Sequence, residues 1–336
     1  MNRILTAAVS LSLFCLASAP FAQGKTLKLS STQPLTDPAS KAQMDTLNKI
    51  IQEKTNGKYK ISIATNGAFG TADAEFNAVM NGICAFAYQS TGNLTPINPL
   101  FGALDMPYML TERDDIDYIF GNGSYERTAV GKKLLARMEE LGAKILSVDL
   151  QSNRQMMTTI PLKNLEDAKG VKLRTTTSPA HINAIRALGM NPTPMSGAEV
   201  FPGIQQGLVA GADVNIFSIW TSRFCDLTKY VLYTDHLPAI CVLYTSQKFW
   251  DSLSNEEQAV FSEAIAAYRT ALPGYLEADA KMCVENALKE GVQFTELSQE
   301  EKARWIAAGQ SALQDFSPEL QGIIKEVQNT LGARNK

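Results

Sequence analysis

Residues 169–195 read KGVKLRTTTSPAHINAIRALGMNPTPM, and this stretch decides the fold. The apolar run that leads to Arg174 predicts a brief strand. Ser178 followed by Pro179 predicts the start of a helix, since serine caps helix N-termini and proline fits the first turn. The helix has one apolar face and ends at Gly189. A strand followed directly by a helix is the repeating unit of an α/β domain.

Arg174 stands where this strand ends. Arginine keeps its positive charge in proteins, and burying that charge without a partner is costly. The arginine therefore either pairs with an Asp or Glu of this chain for structural reasons or binds an acidic ligand. The residues alone leave both interpretations open.

Strands and helices alternate through most of the chain. Residues 38–56 predict an amphipathic helix ended by Gly57, and residues 71–81 predict another ended by Gly82. Strands are predicted from alternating or continuous apolar runs at 58–65, 83–88, 143–150, 171–175 and 239–246. This order indicates an α/β architecture with parallel strands and ligand sites at strand ends.

The second half of the chain becomes mostly helical. Ser196 with Glu199, and Ser254 with Glu257, each form the Ser-x-x-Glu pattern of a helix start. Helices are predicted from about residue 253 to residue 330. Composition shows no linker, so it does not reveal domain boundaries.

The N-terminus has the pattern of a secretory signal peptide. Residues 1–22 combine Arg3, an apolar run too short to span a bilayer, and small residues that lead to expected cleavage near Ala22. An uncleaved membrane anchor is the alternative. No later apolar run approaches the ~20 residues of a membrane-spanning helix, so we expect an exported, soluble mature chain.

Charge and cysteine content exclude several classes of partner. The net charge of −3 is nearly balanced and argues against nucleic acid or a membrane surface. Four cysteines follow the signal peptide, and their spacing matches no metal or redox motif. Isolated buried thiols are expected, although export leaves a Cys225–Cys241 disulfide open.

The sequence contains few catalytic candidates. Its two histidines, His181 and His236, do not have metal-ligand spacing, and motifs such as HExxH, GxSxG and the Walker loop are missing. We therefore expect no cofactor, no metal site and no catalytic residues. A binding protein is favoured; the alternative is an exported enzyme acting on a carboxylic acid, with Asp213 or His236 as the acid or base.

A chain of motifs around Arg174 resembles the DctP-type solute-binding proteins of tripartite ATP-independent periplasmic (TRAP) transporters. The resemblance covers essentially the whole mature chain. Its matching residues are Glu166-Asp167-Ala168-Lys169-Gly170, Arg174, Ala187-Leu188-Gly189, Pro192, Pro194-Met195, Glu199-Val200, Gln205-Gln206-Gly207 and Gly211-Ala212-Asp213.

The resemblance implies a two-lobed α/β periplasmic binding protein with a central ligand cleft and crossing segments between the lobes. The expected lobes are residues 25–151 plus 240–279 and residues 152–239 plus 280–333. It further implies a periplasmic, monomeric protein that captures a small carboxylate-bearing ligand and delivers it to TRAP membrane subunits.

The resemblance also implies a set of substrate-binding residues. Arg174 is expected to hold the ligand carboxylate through a bidentate salt bridge, because its parallel N–H groups match two carboxylate oxygens. Further expected positions around it are Arg154, Thr177, Asp213, Asn215, Gln89, Thr32, His236 and Trp220.

Two departures from the family pattern bear on the ligand. Gly197 stands where several members have an aromatic residue, and Val214 stands where they have asparagine. Val214 and Trp220 together favour a less polar ligand, such as an aromatic or a short hydroxy or keto acid. The identity of the acid stays open.

Overall fold

A computed structural model describes residues 24–122 and 126–334. The predicted signal peptide, residues 1–22 with cleavage near Ala22, lies outside the described residues. The strands are β1 (Lys25–Ser31), β2 (Tyr59–Ala64), β3 (Phe86–Ser90), β4 (Ala143–Thr158), β5 (Lys172–Thr175), β6 (Asn191–Pro194), β7 (Gly211–Asn215), β8 (Tyr230–Tyr233), β9 (Pro238–Ser246) and β10 (Gln293–Glu296).

The helices connect these strands and cover both faces of the sheets. They are α1 (Pro38–Ala42), α2 (Lys49–Lys54), α3 (Ala72–Met80), α4 (Arg113–Phe120), α5 (Ala129–Glu140), α6 (Leu165–Ala168), α7 (Pro179–Ala187), α8 (Val200–Gln205), α9 (Ile216–Thr221), α10 (Gln247–Asp251), α11 (Asn255–Lys289), α12 (Gln299–Gln310) and α13 (Pro318–Arg334). No helix in the described ranges combines the length and apolarity needed to cross a membrane.

The first predicted helix is present with one change. A π-helical segment, Gln43–Asn48, joins α1 to α2, so helical structure runs from Pro38 to Lys54. The carboxylate of Asp37 accepts a hydrogen bond from the Ala39 N–H at 2.9 Å and caps the start.

Two sheet regions share the long strand β4. In the first, β1 lies between the parallel strands β2 and β3, and β9 runs antiparallel to both β3 and β4. In the second, β5 lies between the parallel strands β6 and β7, while β7 and β8 run antiparallel to β4. The strand β10 extends the second region by pairing with β8. Strand β4 pairs with β9 as far as Asn153 and with β7 from Arg154 onward.

Each of the two sheet regions has an apolar cluster on one face, and a third cluster joins the regions. One apolar cluster covers one face of the first region with residues of α4, α5 and α13, and a smaller one covers a face of the second region with residues of α7 and α12. The largest cluster lies against α11 and contains residues of both regions, such as Leu29 and Val214.

Helix α13 packs against a different lobe from the one that the sequence predicted. Ile323 and Val327 are buried in the cluster of the first region, with α4 and α5. Residues 280–333 were expected in the second lobe; their last segment packs on the first because α13 carries an apolar face that fits there. The exact lobe boundaries stay a proposal.

Cys84, Cys225, Cys241 and Cys283 are each a buried free thiol. The disulfide between Cys225 and Cys241 that the sequence left open is therefore not formed. Burial raises the pKa of the Cys225 thiol, so the thiol form is favoured.

Candidate functional site

Strand β5 carries Arg174 to the carboxyl end of the second sheet region. Arg174 lies in register with Thr193 of β6 and Ala212 of β7, so three parallel strands end around it. The side chain is only 7% exposed. Its Nε and Nη2 atoms donate to the carbonyl oxygen of Met195 at 3.1 and 2.9 Å.

Arg174 makes no ion pair with any Asp or Glu of residues 24–122 and 126–334. Burial lowers the pKa of Arg174 to about 10, against an opposing contribution from Asp213, so the guanidinium is still charged at neutral pH. The structural interpretation of Arg174, a salt bridge within the chain, is thus not found in the described residues.

Arg154 has the partner that Arg174 lacks. Its Nε lies 2.5 Å from Oδ2 of Asp213, and its Nη2 donates to the Asp213 carbonyl oxygen at 2.6 Å. Asp213 is fully buried. Burial raises the pKa of this carboxyl, but the paired Arg154 is the largest opposing influence, and the net effect holds the pKa below its usual range. Asp213 is therefore an ionised, acceptor-only carboxylate.

His236 lies beside this ion pair. Its Nδ1 is 2.8 Å from the Thr234 hydroxyl, and its Nε2 is 3.9 Å from Oδ2 of Asp213. Burial lowers the pKa of His236 to about 3. The imidazole is thus neutral at physiological pH, with one nitrogen donating and the other accepting.

His181 and Asp105 complete the group, and sequence reasoning missed both as site residues. The Nε2 of His181, on α7, lies 3.3 Å from Oδ1 of Asp105, which precedes α4 in the chain. Ser178 holds the N-terminal position of α7, but its hydroxyl donates to Oδ2 of Asp105 at 3.2 Å instead of capping the helix. Gly92 lies against this contact.

We call Arg154, Arg174, Asp213, His181, His236 and Asp105 the polar junction, since it lies where the two sheet regions meet. One signal could have drawn attention to His181. It comes two residues after Pro179, so it lies in the first turn of the helix that follows the Arg174 strand.

Two expected site residues are engaged in structural hydrogen bonds. Asn215 caps α9, because its Oδ1 accepts from the backbone N–H and hydroxyl of Ser218 at 2.9 and 2.7 Å. Gln89 is 1% exposed and donates to the buried carboxylate of Glu75 at 2.9 Å. These bonds favour a structural role for both side chains.

Thr32 and Thr177 both follow strands. Thr32 is half-buried just after β1, and Thr177 is exposed between β5 and α7. Both positions lie at the carboxyl ends of parallel strands, where α/β proteins commonly bind ligands; their role as lining residues stays a prediction.

The expectation of a less polar ligand loses its basis in the structure. Val214 is 4% exposed and lies in the core cluster shared with α11, because it alternates with Asp213 along β7. Trp220 is partly buried against the same cluster, and the Arg223 guanidinium lies 4.9 Å from its ring centroid. Gly197 is exposed.

A cavity of about 390 Å³ lies beside the point where β4 changes partner, next to Arg154 along the strand. It is lined by Ser152, Asn153, Gln155, Ile216, Tyr233, Asp235, Ala280, Lys281, Val284 and Glu285. This cavity contains no member of the polar junction. Across the described ranges, His, Cys, Asp and Glu form no group suited to a metal ion.

Comparison with known proteins assigns this chain to a protein family. The model of the family described as bacterial extracellular solute-binding protein, family 7 (DctP), matches residues 29–319.

Two relatives bind different acids. The 2,3-diketo-L-gulonate-binding periplasmic protein YiaO of Escherichia coli is 27% identical over 65% of each chain. The C4-dicarboxylate-binding protein DctB of Bacillus subtilis is 26% identical over 80% of this chain and 76% of its own.

A solved structure has the same fold. The TRAP periplasmic solute-binding protein of Xanthobacter autotrophicus Py2, with bound β-D-galacturonate, superposes with a TM-score of 0.78 at 25% identity, covering 90% of this chain and 99% of its own. The two-lobed α/β fold expected from the sequence is thereby confirmed.

Proposed function

Because the chain belongs to the DctP family of TRAP solute-binding proteins, we propose that it captures a small organic acid by a salt bridge between Arg174 and the ligand carboxylate. It then delivers the acid to the TRAP membrane subunits. The family and its curated relatives are solute-binding proteins of transporters and not enzymes, so the alternative of an exported enzyme is not supported.

The observation that carries the proposal is the state of Arg174. Its guanidinium is nearly buried and charged, yet has no carboxylate partner among the described residues. Met195 accepts from Nε and Nη2, which fixes the plane of the group and leaves the remaining N–H groups for a ligand. A planar, permanently charged fork suits two carboxylate oxygens.

The rest of the site follows from this anchor. Arg154 lies in the same polar junction with its charge compensated by Asp213, and Thr177 and Thr32 lie toward the rim of the site. Periplasmic location, signal-peptide cleavage near Ala22 and the monomeric state belong to the same proposal, as do two lobes at the expected boundaries except for α13, which packs on the first. The diketogulonate and galacturonate bound by relatives make a small sugar acid a first candidate ligand.

A screen of organic acids followed by calorimetry tests the proposal. The purified mature chain is first screened by thermal shift, because a ligand that binds the folded state raises its stability. Calorimetry then compares the best acid on the parent chain and on Arg174→Ala. We expect a loss of about 2–5 kcal/mol, or roughly 30-fold or more in Kd, since the variant leaves a desolvated carboxylate unpaired.

Two further variants sharpen the result. Arg174→Lys keeps the charge but not the fork, so it should restore binding only in part. Arg186→Ala serves as the control, because Arg186 is an exposed arginine on the helix that follows β5. Unchanged affinity in Arg174→Ala would reject the salt bridge.

A further inference from the structure

The cavity beside the point where β4 changes partner has the size of a small-molecule site. Its volume is about 390 Å³, and small-molecule pockets begin at about 300 Å³. Strand β4 and the end of β8 supply one side of the cavity, and helix α11 supplies the other. A molecule in this cavity would therefore contact a set of residues separate from the polar junction.

Gln155 fixes Asp235 in the lining of this cavity. The Oε1 of Gln155 accepts from the backbone N–H groups of Thr234 and Asp235 at 2.8 and 3.1 Å, and its Nε2 donates to Oδ1 of Asp235 at 2.7 Å. Asp235 has a φ of 49°, in the left-handed region that residues other than glycine rarely adopt. Backbone strain of this kind concentrates at ligand sites. Gln155 thus stabilises a strained position that places Asp235 in the cavity lining.

The Asp235 carboxylate has no cationic partner within residues 24–122 and 126–334. The hydrogen bond to its side chain comes from the neutral amide of Gln155. Lys281 and Glu285 also line the cavity, but they lie one turn apart on α11 and both are exposed. Opposite charges at this spacing attract each other, and exposure keeps them hydrated. The lining therefore carries one uncompensated negative charge, on Asp235.

An unpaired polar atom of the lining is also an acceptor. Asn153 and Gln155 are two residues apart on β4, so their side chains lie on the same face of the sheet. The Nδ2 of Asn153 donates to the Thr111 carbonyl oxygen at 3.1 Å, which leaves its Oδ1 buried without a partner in the described residues. Carboxylate and amide oxygens accept hydrogen bonds and donate none. Asp235 and Asn153 together therefore favour a ligand group that donates hydrogen bonds and carries a positive charge.

Most of the remaining lining is apolar. Ile216 is 8% exposed and belongs to the core cluster against α11, and Ala280 and Val284 of α11 pack on the same cluster. The Tyr233 ring stacks on Phe294 with the ring centroids 5.7 Å apart, which holds the Tyr233 ring in place. Apolar surface of this kind favours a hydrocarbon group over a hydrated one. The lining thus combines an acceptor end with an apolar wall.

We propose that this cavity is a second binding site, for a small primary amine with a hydrocarbon body. The ammonium group binds Asp235 and Asn153, and the body lies against the apolar side chains. An ammonium offers three donors and no acceptor, and its hydrogen bond to a carboxylate is roughly twice as strong as one between neutral groups. The amine site does not depend on an acid at Arg174, because the two sites share no residue.

Cyclohexylamine and two analogues test the proposal. Backbone amide NMR follows titrations of the purified mature chain at neutral pH with cyclohexylamine, with its N-trimethylated quaternary form, which keeps the charge but has no donor, and with neutral cyclohexanol. We expect saturable shifts at residues 152–155, 233–235 and 280–285, and a Kd for cyclohexylamine at least ~10-fold lower than for either analogue. Equal affinity for the three compounds, or no saturable shift in these segments, overturns the proposal.

Two variants locate the amine. Asp235→Asn keeps the side-chain volume and suits the left-handed backbone but removes the charge, so the Kd for cyclohexylamine should rise ~10-fold or more. Ala280→Leu fills part of the cavity without changing its charge and should also weaken binding. Asp251→Asn is the control, because Asp251 likewise accepts from a glutamine amide, Gln247 Nε2 at 2.7 Å, but is exposed and outside the cavity. Unchanged affinity in Asp235→Asn or in Ala280→Leu overturns the proposal.

Arg174→Ala separates this proposal from the proposed function. The variant should lose the acid but keep the amine affinity of the parent chain, because no member of the polar junction lines the cavity. If Arg174→Ala weakens cyclohexylamine as much as Asp235→Asn does, the amine does not occupy a separate site and this proposal fails. If Arg174→Ala retains the acid while Asp235→Asn loses the amine, the proposed function fails and the amine site stands.

Discussion

Arg154 and Arg174 are the same residue type in two electrostatic situations. Arg154 is paired with a fully buried Asp213, whereas Arg174 is held by the neutral carbonyl of Met195. A buried ion pair is internally compensated, so removing either member leaves a costly charge. A buried arginine held only by a carbonyl instead retains attraction for an anion. The difference explains why Arg174, and not Arg154, is the anchor in our proposal.

Acid sensitivity is a consequence of the buried His236. Its pKa falls from 6.5 in the unfolded chain to about 3 in the fold, because burial disfavours the charged ring. Between these values the unfolded state binds more protons, so the free energy of unfolding falls as pH drops, by up to ~1.4 kcal/mol per pH unit. We expect urea unfolding from pH 7.5 to pH 5 to show a weaker decline in His236→Gln than in the parent chain.

Asp37 provides the opposite control. Burial raises the pKa of Asp37 to about 6, so the folded state binds more protons there as pH falls and stability is gained. Asp37→Asn, which preserves the cap, should therefore make the acid decline steeper. If the free energy of unfolding declined equally with pH in the parent chain and in His236→Gln, His236 would not be buried in its neutral form.

The sequence singled out Arg174, Arg154, Asp213 and His236 but not Asp105 and His181, which complete the polar junction. Arg174 stood out because an arginine at a strand end is costly and because the family motif surrounds it. Asp105 and His181 are distant in sequence, and their contact depends on how the two sheet regions meet. Asn215 and Gln89 were placed by family position, which does not reveal that Ser218 and Glu75 engage their side chains.

At the level of elements, the sequence predicted the apolar, well-capped segments. It missed short strands and the part of β4 whose stability depends on pairing with other strands. The capping box of Ser254 with Glu257 marked the start of α11 correctly. Strand β4 was expected at 143–150 but extends to Thr158, because its second half is stabilised by pairing with β7 and β8. The edge strands β6 and β10 lack an apolar alternation and depend on their partners.

Two glycines give opposite predictions about element stability. A Cβ at Gly211 of β7 would lie 2.0 Å from the Met157 carbonyl oxygen, so Gly211→Ala must displace β4 from β7. We expect a loss of about 1–3 kcal/mol or more in the free energy of unfolding, measured by urea denaturation.

Gly274 is the matched control. It is an exposed position in the 35-residue helix α11, and a Cβ there meets no atom within 4 Å. Gly274→Ala should stabilise the protein by about 0.5–1 kcal/mol, because alanine loses less backbone entropy in a helix. A destabilised Gly274→Ala would contradict a continuous helix through this position.

At the scale of the whole molecule, the two lobes share one core. The apolar cluster against α11 contains Leu29 and Ile61 of the first sheet region together with Ala212 and Val214 of the second. Asp105 adds a polar contact to His181 and Ser178 across the junction. Neither region buries its α11-facing side without this helix, so the lobes depend on each other for stability.

This shared core predicts a single cooperative unfolding transition. Calorimetric scans of the mature chain should show one peak, and its van't Hoff enthalpy should match the calorimetric enthalpy. A ligand acid at 100 times its Kd should raise the free energy of unfolding by about 2.7 kcal/mol and move the whole peak upward. The same acid, at the same concentration, should move the peak of Arg174→Ala by at most about a third as far, since the ~30-fold or greater rise in Kd leaves at most ~0.9 kcal/mol of stabilisation. Two peaks, of which the ligand moves only one, would show that the lobes unfold independently and that α11 does not join them.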